Sequence, residues 1–371
     1  MSGEPTELER LCLALLAIPS PIGSEGLVAD FCEAYLREKG CYGLTRSGDN
    51  LAFQPRPFRP GHPRLLLLGH LDTVPPADDN PARLEGDRIL GLGASDMKCA
   101  DAVILSLAAE AVAREPELDL ACVLYAAEEG PYAGSGMPEI LAAAPGCFDG
   151  VDLAIAMEPT DNELELGCLG TLHAVVRFEG KRAHSARPWQ GRNAIHMAGP
   201  LLTGIAAIEP RTVTLHGLEF REVISATQID YEGARNVVPG ACTVNLNFRF
   251  GPDREPEEAV DHVVRLVAEA NAAAGIDPEH VSVEVPDLCP SGKVCGDNAL
   301  LARLRGAAPR PLETRAKQAW TDVGRLSQMG LDALNYGPGS PAQAHQVGEH
   351  ALRAKVAESR EVLGRLLFGR A

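Results

Sequence analysis

The sequence lacks an excess of basic residues. Its 371 residues include 34 Lys and Arg against 51 Asp and Glu, which gives a formal net charge of -17. A protein that binds nucleic acid backbones needs basic residues to displace the counterions of the phosphates. We therefore expect no nucleic acid partner, although a few local arginines can still bind a small anionic substrate.

Long apolar runs and targeting signals are also lacking. No run approaches the ~18 apolar residues of a transmembrane helix, so no membrane partner is expected. The N-terminal stretch MSGEPTELERLCLALLAIPSPIG has no basic region and no small-residue cleavage site. Its interrupted apolar pattern predicts an amphipathic helix rather than a signal peptide. The simplest expected localisation is the cytoplasm.

The cysteines form no CxxC pair, although the chain has ten of them. Without an export signal, scattered cysteines are more often reduced core residues than disulfides. Cys99 lies close to Asp96 and is a candidate soft metal ligand, but a buried core position is the simpler interpretation.

Motifs of two other enzyme classes are absent. The sequence has no GxSxG, which disfavours a serine hydrolase. The stretch GLGASDMKCADAV superficially resembles a nucleotide-binding loop, but it lacks the third glycine of GxGxxG and the GK[ST] of a P-loop.

The sequence does contain several apolar runs that each lead to a residue type that binds metals. The run LLLLGH ends at His70, with Asp72 two residues further on, and ACVLYAAEE ends at Glu128 and Glu129. DLAIAME ends at Glu158, and DALNYGPGSPAQAH ends at His345. Continuous apolar runs are typical of strands covered on both faces of a parallel sheet. Because ligands bind beyond the carboxyl ends of such strands, we expect these side chains to meet at one sheet edge.

Helical and strand-like segments alternate in the first half of the chain, which predicts βαβ units. Beyond residue 169 the order becomes β-α-β-β-α-β, typical of a ferredoxin-like domain, and helices then return around a short strand. We predict an α/β protein with a mixed central sheet flanked by helices, plus an inserted α+β domain. The predicted segments are 1–168 and 287–371 for the first domain and 169–286 for the inserted one.

A divalent metal that binds a carbonyl and activates water needs imidazole and carboxylate ligands with an open position. His70 fits, because Asp72 can fix its tautomer by a hydrogen bond. Asp96 lies in a glycine-rich loop, where capping of the following helix is the alternative role. Adjacent carboxylates after a buried strand repel each other, so Glu128 and Glu129 either have a compensating partner or form a solvated loop pair.

Five blocks resemble, in order, the ligand motifs of one family: GHLDTVPP, GLGASDMKCA, AAEEGPYAGSG, AMEPT and GPGSPAQAH. These are the dinuclear zinc amidohydrolases that include succinyl-diaminopimelate desuccinylase, acetylornithine deacetylase, aminoacylase and glutamate carboxypeptidase. The resemblance implies a zinc-peptidase-like catalytic domain with an inserted lid, and a homodimer formed through that lid. KRAHSARPWQGRNAIH and AWTDVGRLSQMG are most similar to one branch of the desuccinylases.

The resemblance implies two Zn²⁺ ions per chain, for which Co²⁺ is an expected substitute. Asp96 is the expected bridging ligand. His70 and Glu158 are expected to complete one metal site, and Glu129 and His345 the other. The peptide bond that follows Asp96 is expected to be cis.

Catalytic roles follow from the same resemblance. Glu128 is the expected general base, which takes a proton from water and passes it to the leaving amine, and Asp72 is expected to orient His70. His184 in AHSARP matches a histidine that reaches the partner subunit's active site and supports the tetrahedral oxyanion. Without the resemblance, His184 is interpreted as a surface histidine at a strand end.

The residues expected to bind the substrate by resemblance are Arg249, Asn236, Arg187, Thr321 and Gly339. Arginine suits this task because its guanidinium binds a carboxylate with two hydrogen bonds. The sequence departs from the pattern at Cys168 and Leu169, where some desuccinylases carry an arginine that helps to hold the substrate.

The implied activity is the hydrolysis of N-succinyl-L,L-diaminopimelate, a small N-acyl amino acid, in diaminopimelate and lysine biosynthesis. Another N-acyl-amino-acid deacylase or a carboxypeptidase-like peptidase is the alternative within the family. A non-catalytic metal-binding homologue is the alternative outside the enzymes. The presence of both Glu128 and His184 disfavours it.

Overall fold

The structure is a computed structural model that describes residues 4–231 and 233–369. It divides into two compact units. The first unit comprises the chain up to Gly167, Lys293–Ala316 and the chain from Thr321 onwards. The second comprises Cys168–Gly292 and Lys317–Trp320.

The α-helices and β-strands of the described residues follow in chain order. The helices are α1 (Glu7–Leu16), α2 (Gly26–Lys39), α3 (Lys98–Ala113), α4 (Met137–Ala143), α5 (Ala194–Ala206), α6 (Pro256–Ala273), α7 (Ala299–Ala307), α8 (Val323–Gln328) and α9 (Arg353–Phe368). The strands are β1 (Gly43–Ser47), β2 (Asn50–Gln54), β3 (Arg64–His70), β4 (Arg83–Glu85), β5 (Arg88–Leu90), β6 (Asp119–Tyr125), β7 (Leu153–Ala156), β8 (Leu164–Leu166), β9 (Gly170–Glu179), β10 (Ala183–His184), β11 (Arg211–Leu215), β12 (Leu218–Tyr231), β13 (Val237–Val238), β14 (Ala241–Phe250), β15 (Val281–Cys289), β16 (Thr314–Ala316), β17 (Ala333–Asn335) and β18 (His350–Leu352).

The first unit is built around a mixed sheet with the strand order β1-β2-β6-β3-β7-β17-β8-β16. Its centre is parallel, because β3 pairs in parallel with both β6 and β7, and β7 pairs in parallel with β17. All of β6 and all of β3 except Arg64 are buried, as their continuous apolar runs predict. The predicted α/β class, with a mixed central sheet flanked by helices, is confirmed.

Helix α3 links the sheet to the glycine-rich loop. It contacts β3 and β6, and its Ala-, Val-, Ile- and Leu-rich sequence is buried along most of its length. Because β3, β6 and β7 run in the same direction, the chain segments that follow them leave the sheet at one edge. This parallel arrangement brings His70, Glu128 and Glu158 to the same side of the first unit.

A small antiparallel sheet, in the order β18-β5-β4, joins the C-terminal part of the first unit to the glycine-rich loop. The β18–β5 pairing aligns His350 with Leu90, immediately before that loop. The Gly91 amide also donates a hydrogen bond to the Glu349 carbonyl at 3.2 Å. The segment after His345 therefore lies against the loop that carries Asp96.

The second unit contains an antiparallel sheet with the strand order β11-β12-β14-β9-β15. Helices α5 and α6 pack against it, and β9 contributes Leu172, Ala174, Val176 and Phe178 to the shared core. Their spacing of two residues is the alternation expected of a strand with one buried face. Without β11 and the two-residue strands β10 and β13, the chain order is β9-α5-β12-β14-α6-β15. Strand β11 is not among the predicted strands, because its short run becomes a strand only through its hairpin pairing with β12.

The second predicted boundary, at 286/287, falls inside β15. This strand continues to pair with β9 as far as Cys289, and Gly292 forms a bridge with Cys168. The Lys317–Trp320 segment also belongs to the second unit, although the sequence pattern assigns it to the first domain. Long-range pairing, which has no local sequence signal, determines both differences.

The cysteines are present as thiols rather than disulfides, and all of them except Cys41 are buried. Among residues 4–231 and 233–369, no helix combines the length and apolar character needed to cross a membrane.

Candidate metal centre and active site

His70 is the last residue of β3, and its side chain is only 1% exposed. Its Nδ1 lies 3.1 Å from the carbonyl oxygen of Asp72 and 3.5 Å from Asp72 Oδ1. Its Nε2 lies 3.1 Å from Asp96 Oδ1. Asp72 therefore fixes the imidazole from one side, while the other nitrogen points to the Asp96 carboxylate.

Asp96 lies in the glycine-rich loop before α3, and the Asp96–Met97 peptide bond is cis. The loop is fixed by Glu349, whose side chain is only 2% exposed. The Glu349 carboxylate accepts hydrogen bonds from the amides of Gly93, Ser95 and Asp96 at 2.8–3.0 Å. Sequence analysis missed Glu349; its only signal is an acidic residue placed four positions after His345.

Glu128 and Glu129 lie on the turn that follows β6. The Asp72 carboxylate accepts a hydrogen bond from each of their backbone amides, both at 3.0 Å. The Glu129 side chain reaches His345, with Oε1 and Nε2 separated by 2.6 Å. Asp72 thus has a contact that the sequence did not predict, because one carboxylate holds the backbone of both glutamates.

The structure brings the predicted metal-ligand side chains together. Within the described part of the chain, one group combines His70, Asp96 and Glu158, and another combines Asp96, Glu129 and His345. In each group the candidate ligand atoms lie within 4.8 Å of one another. Asp96 belongs to both groups, which is the arrangement needed for a carboxylate shared by two neighbouring ions.

The electrostatics of the cluster also fit bound cations. Burial raises the pKa of Glu128 well above its ordinary value, and the negative charge of Glu158 raises it further. The hydrogen bond to Glu129 raises the pKa of His345 to about 9. Several carboxylates crowded into one partly buried site repel each other without a compensating positive charge. Imidazole nitrogens with carboxylate oxygens are a donor set that suits divalent zinc and its neighbours.

The predicted substrate residues fall into both units. In the first unit, Thr321 is buried, and Gly339 lies so close to the Asp96 loop that an added Cβ would sit 2.0 Å from the Ser95 carbonyl oxygen. In the second unit, the exposed His184 lies on β10, and the amide of the following Ser185 donates to the Asn236 carbonyl at 2.9 Å. His184 and Asn236 are therefore neighbours on one exposed surface.

The two arginines predicted to bind substrate differ in their surroundings. Arg187 is exposed, and its backbone amide donates to the His184 carbonyl at 2.8 Å. Arg249 lies on β14, where its guanidinium donates to Thr171 Oγ1 and to Asn247 Oδ1. Burial lowers the pKa of Arg249.

Comparisons with known proteins show what the chain is similar to. Residues 66–368 match the family model described as Peptidase family M20/M25/M40. The chain is 38% identical, over 100% of its length and 99% of the relative, to a Mycobacterium tuberculosis protein provisionally named succinyl-diaminopimelate desuccinylase. It is 35% identical to the succinyl-diaminopimelate desuccinylase of Corynebacterium glutamicum, over 98% of this chain and 96% of that one.

A solved structure supports the fold alone. It belongs to a Bacillus subtilis protein described as a dinuclear metal binding peptidase from the M20 family. The two chains share a TM-score of 0.72 and 16% sequence identity, over 97% of this chain and 96% of the other.

Proposed function

This chain belongs to peptidase family M20/M25/M40, and from that premise we propose that it hydrolyses N-succinyl-L,L-2,6-diaminopimelate to succinate and L,L-diaminopimelate. The observation that carries the substrate assignment is its full-length similarity to the M. tuberculosis and C. glutamicum relatives. The clustered donors carry the reaction class, because hydrolysis of a linear amide needs a polarised carbonyl and an activated water.

Two Zn²⁺ ions fit the donor set. His70 and Glu158 would hold one ion and Glu129 and His345 the other, with Asp96 shared between them. When bound, such ions polarise the amide carbonyl and make water more acidic. Co²⁺ is expected to replace Zn²⁺, because it accepts the same nitrogen and oxygen ligands.

Glu128 is the proposed general base. Its side chain is half-buried beside the candidate ligands, and the loss of solvation raises its pKa, which strengthens it as a proton acceptor. It takes a proton from the attacking water and delivers it to the leaving amine nitrogen. Asp72 orients His70 on one side and fixes the Glu128 amide on the other.

The second unit is proposed to act as a lid and a dimerisation domain. Strand β11 pairs with β12 only between Leu218 and Glu222. Within the described residues, the rest of that edge of β12 pairs with no strand, and Ile229 and Tyr231 are 50% and 60% exposed there. An unpaired edge with exposed apolar residues supports pairing with a second copy of the chain. In such a dimer, His184 would support the oxyanion in the partner's site.

A second candidate function is the removal of a different acyl group, or cleavage of a dipeptide. Cys168 and Leu169 are buried and contribute no positive charge where some desuccinylases carry an arginine. A desuccinylase must therefore hold the distal carboxylate by another group, for which Arg249 and Arg187 are the proposed candidates.

A hydrolysis panel tests the assignment. Protein reconstituted with Zn²⁺ or Co²⁺ would be assayed with succinyl-diaminopimelate, succinyl-ornithine, acetylornithine and simple dipeptides. The proposal predicts the highest kcat/KM for succinyl-diaminopimelate. A preference for acetylornithine or a dipeptide would transfer the assignment to that substrate, and no turnover with any substrate would favour a non-catalytic homologue.

A further inference from the structure

Four consecutive backbone amides in the turn after β6 are each held by a buried side-chain oxygen. Asp72 holds the amides of Glu128 and Glu129. The two preceding amides are held by residues that the proposed mechanism does not use. The Ala127 amide donates to Glu25 Oε1 at 3.2 Å, and the Ala126 amide donates to Asn50 Oδ1 at 2.9 Å.

The backbone at Ala127 determines the direction in which Glu128 leaves the turn. Ala127 has φ of 56°, in the left-handed region that residues other than glycine adopt rarely. This conformation is strained for a residue that carries a side chain, so surrounding contacts must hold it. Its amide faces Glu25, which places the Glu25 carboxylate at the residue where the chain changes direction.

The Glu25 side chain binds backbone amides rather than capping the helix that follows it. It immediately precedes α2, but its side chain makes no capping hydrogen bond to that helix. The residue is only 2% exposed, and Oε1 also accepts a hydrogen bond from the Gly23 amide at 2.9 Å. A buried carboxylate is costly unless it accepts hydrogen bonds. Here the acceptor oxygen links the loop before α2 to the turn that carries Glu128.

Asn50 is the second support of the turn. It begins β2, is only 2% exposed, and its Nδ2 donates to the Ser47 carbonyl and to Glu139 Oε2. These two contacts fix the amide so that Oδ1 points to Ala126. On the other side of Ala126, its carbonyl accepts a hydrogen bond from the Gly136 amide at 2.8 Å. A side chain at Gly136 would collide with Asn50, because an added Cβ would lie 1.7 Å from Oδ1.

We propose that Glu25 and Asn50 are positioning residues for the general base. They hold the Ala126–Ala127 backbone so that the Glu128 carboxylate is presented in one orientation beside the candidate metal ligands. The inference rests on the proposed function in one respect, namely that Glu128 is the base. It concerns the hydrogen-bond acceptor oxygens of Glu25 and Asn50 and requires no change in their charge.

Two measurements on full-length, zinc-loaded protein test the proposal. The variants are Glu25→Ala, Glu25→Gln and Asn50→Ala. The matched control is Asp119→Ala, because Asp119 is a 5% exposed carboxylate at the opposite end of β6 that accepts hydrogen bonds from the amide and Nε of Arg59. Tyr125 lies six positions after Asp119 along the strand, which amounts to roughly 20 Å.

The first measurement is amide hydrogen exchange of the peptide that covers residues 125–130. Glu25→Ala and Asn50→Ala are expected to increase its exchange rate at least tenfold, whereas Glu25→Gln, which keeps an acceptor oxygen, stays within about threefold of the wild type. Asp119→Ala leaves this peptide unchanged. Unaltered exchange in Glu25→Ala would overturn the proposal without any activity assay.

The second measurement is kcat per zinc-loaded chain on the best substrate of the wild type. Because a small misplacement of a catalytic group lowers rates steeply, kcat is expected to fall about 10–100-fold in Glu25→Ala, with KM changed less than threefold. Glu25→Gln restores most of kcat, and Asp119→Ala keeps it. Faster exchange with unchanged kcat in Glu25→Ala would show that Glu25 has only a structural role and would overturn the proposal. Equal losses of kcat in Glu25→Gln and Glu25→Ala would also overturn it.

Failure of the proposed function has a separate signature. If the wild type turned over no amide of the panel, Glu128 would have no proton transfer to perform, and both proposals would fall. If the wild type is active and only the ratios between variants and wild type disagree, the positioning inference alone is wrong.

Discussion

His345 Nε2 lies 2.6 Å from Glu129 Oε1, although 216 residues separate them in the chain. Glu129 follows a central strand of the first unit, whereas His345 lies in a loop after β17, where its backbone has φ of 61°. Both side chains also belong, with Asp96, to one group of candidate metal ligands. The contact unites the beginning and the end of the first unit in one candidate metal site.

This relationship predicts the metal content of a single variant. Reconstituted wild-type protein should bind about two Zn²⁺ ions per chain, and His345→Ala should bind about one, because His70, Asp96 and Glu158 remain. His350→Ala is the control, since His350 lies on β18 and belongs to none of the ligand groups. Elemental analysis measures both contents. Two ions in His345→Ala would exclude His345 from the site.

Glu128→Gln should separate catalysis from metal binding. The amide keeps the size of the side chain but cannot accept the proton, so kcat is expected to fall by about 10²–10⁴ while zinc content stays unchanged. Glu38→Gln provides a control, because Glu38 lies on helix α2 and is exposed. Near wild-type turnover in Glu128→Gln would contradict the proposed base.

The exposed edge of β12 and the exposed position of His184 predict complementation between subunits. Glu128→Gln and His184→Ala chains should each be inactive as homodimers. After subunit exchange, a mixed dimer should contain one site with both Glu128 and His184 intact, and activity should return to roughly half per mixed dimer. The dimer itself is measured by light scattering. Absence of rescue in a verified mixed dimer would show that His184 serves its own chain.

Substrate selectivity should depend on a carboxylate at the end of the acyl group. We expect kcat/KM to be higher for the N-succinyl than for the N-acetyl derivative of the same amine, because a buried charge without a partner is costly. Arg249→Gln and Arg187→Gln should each be compared on both substrates. Substitution of the arginine that contacts the distal carboxylate should lower kcat/KM only for the N-succinyl substrate. A preference of the wild type for acetyl would identify a deacetylase.

The second unit should lose stability in acid through Glu222. This carboxylate is only 6% exposed and accepts hydrogen bonds from Arg211 and Arg254. Burial alone would raise its pKa, but these hydrogen bonds outweigh burial and lower the pKa to about 2. A pKa below the value in the unfolded chain stabilises the folded state above about pH 4.5, and this contribution disappears as the pH falls towards 2.

The expected contribution of Glu222 at pH 7 is on the order of 3 kcal/mol. Glu222→Gln should lower the free energy of unfolding at pH 7 and flatten its dependence on pH below 5, both measured by urea unfolding. Glu284→Gln on β15 is the control, because Glu284 is exposed. Parallel pH profiles for wild type and Glu222→Gln would refute the assignment.

The sequence by itself determined the fold class and the identity of the clustered side chains. Apolar runs such as LLLLGH and ACVLYAAEE are typical of buried strands, and parallel strands release the chain at a common edge. His70, Glu128 and Glu158 meet for this reason. The ordered motifs also indicated the family without knowledge of any contact, and the family match confirms it.

Only the tertiary structure decided how these side chains are held. Glu25, Asn50 and Glu349 carry no local pattern that distinguishes them from other polar residues, yet each accepts hydrogen bonds from the backbone of a site segment. The extent of β15 and the membership of Lys317–Trp320 in the second unit also escaped prediction. Periodicity and motifs report which residues a segment buries or exposes, whereas a hydrogen bond between distant segments depends on where the fold brings them.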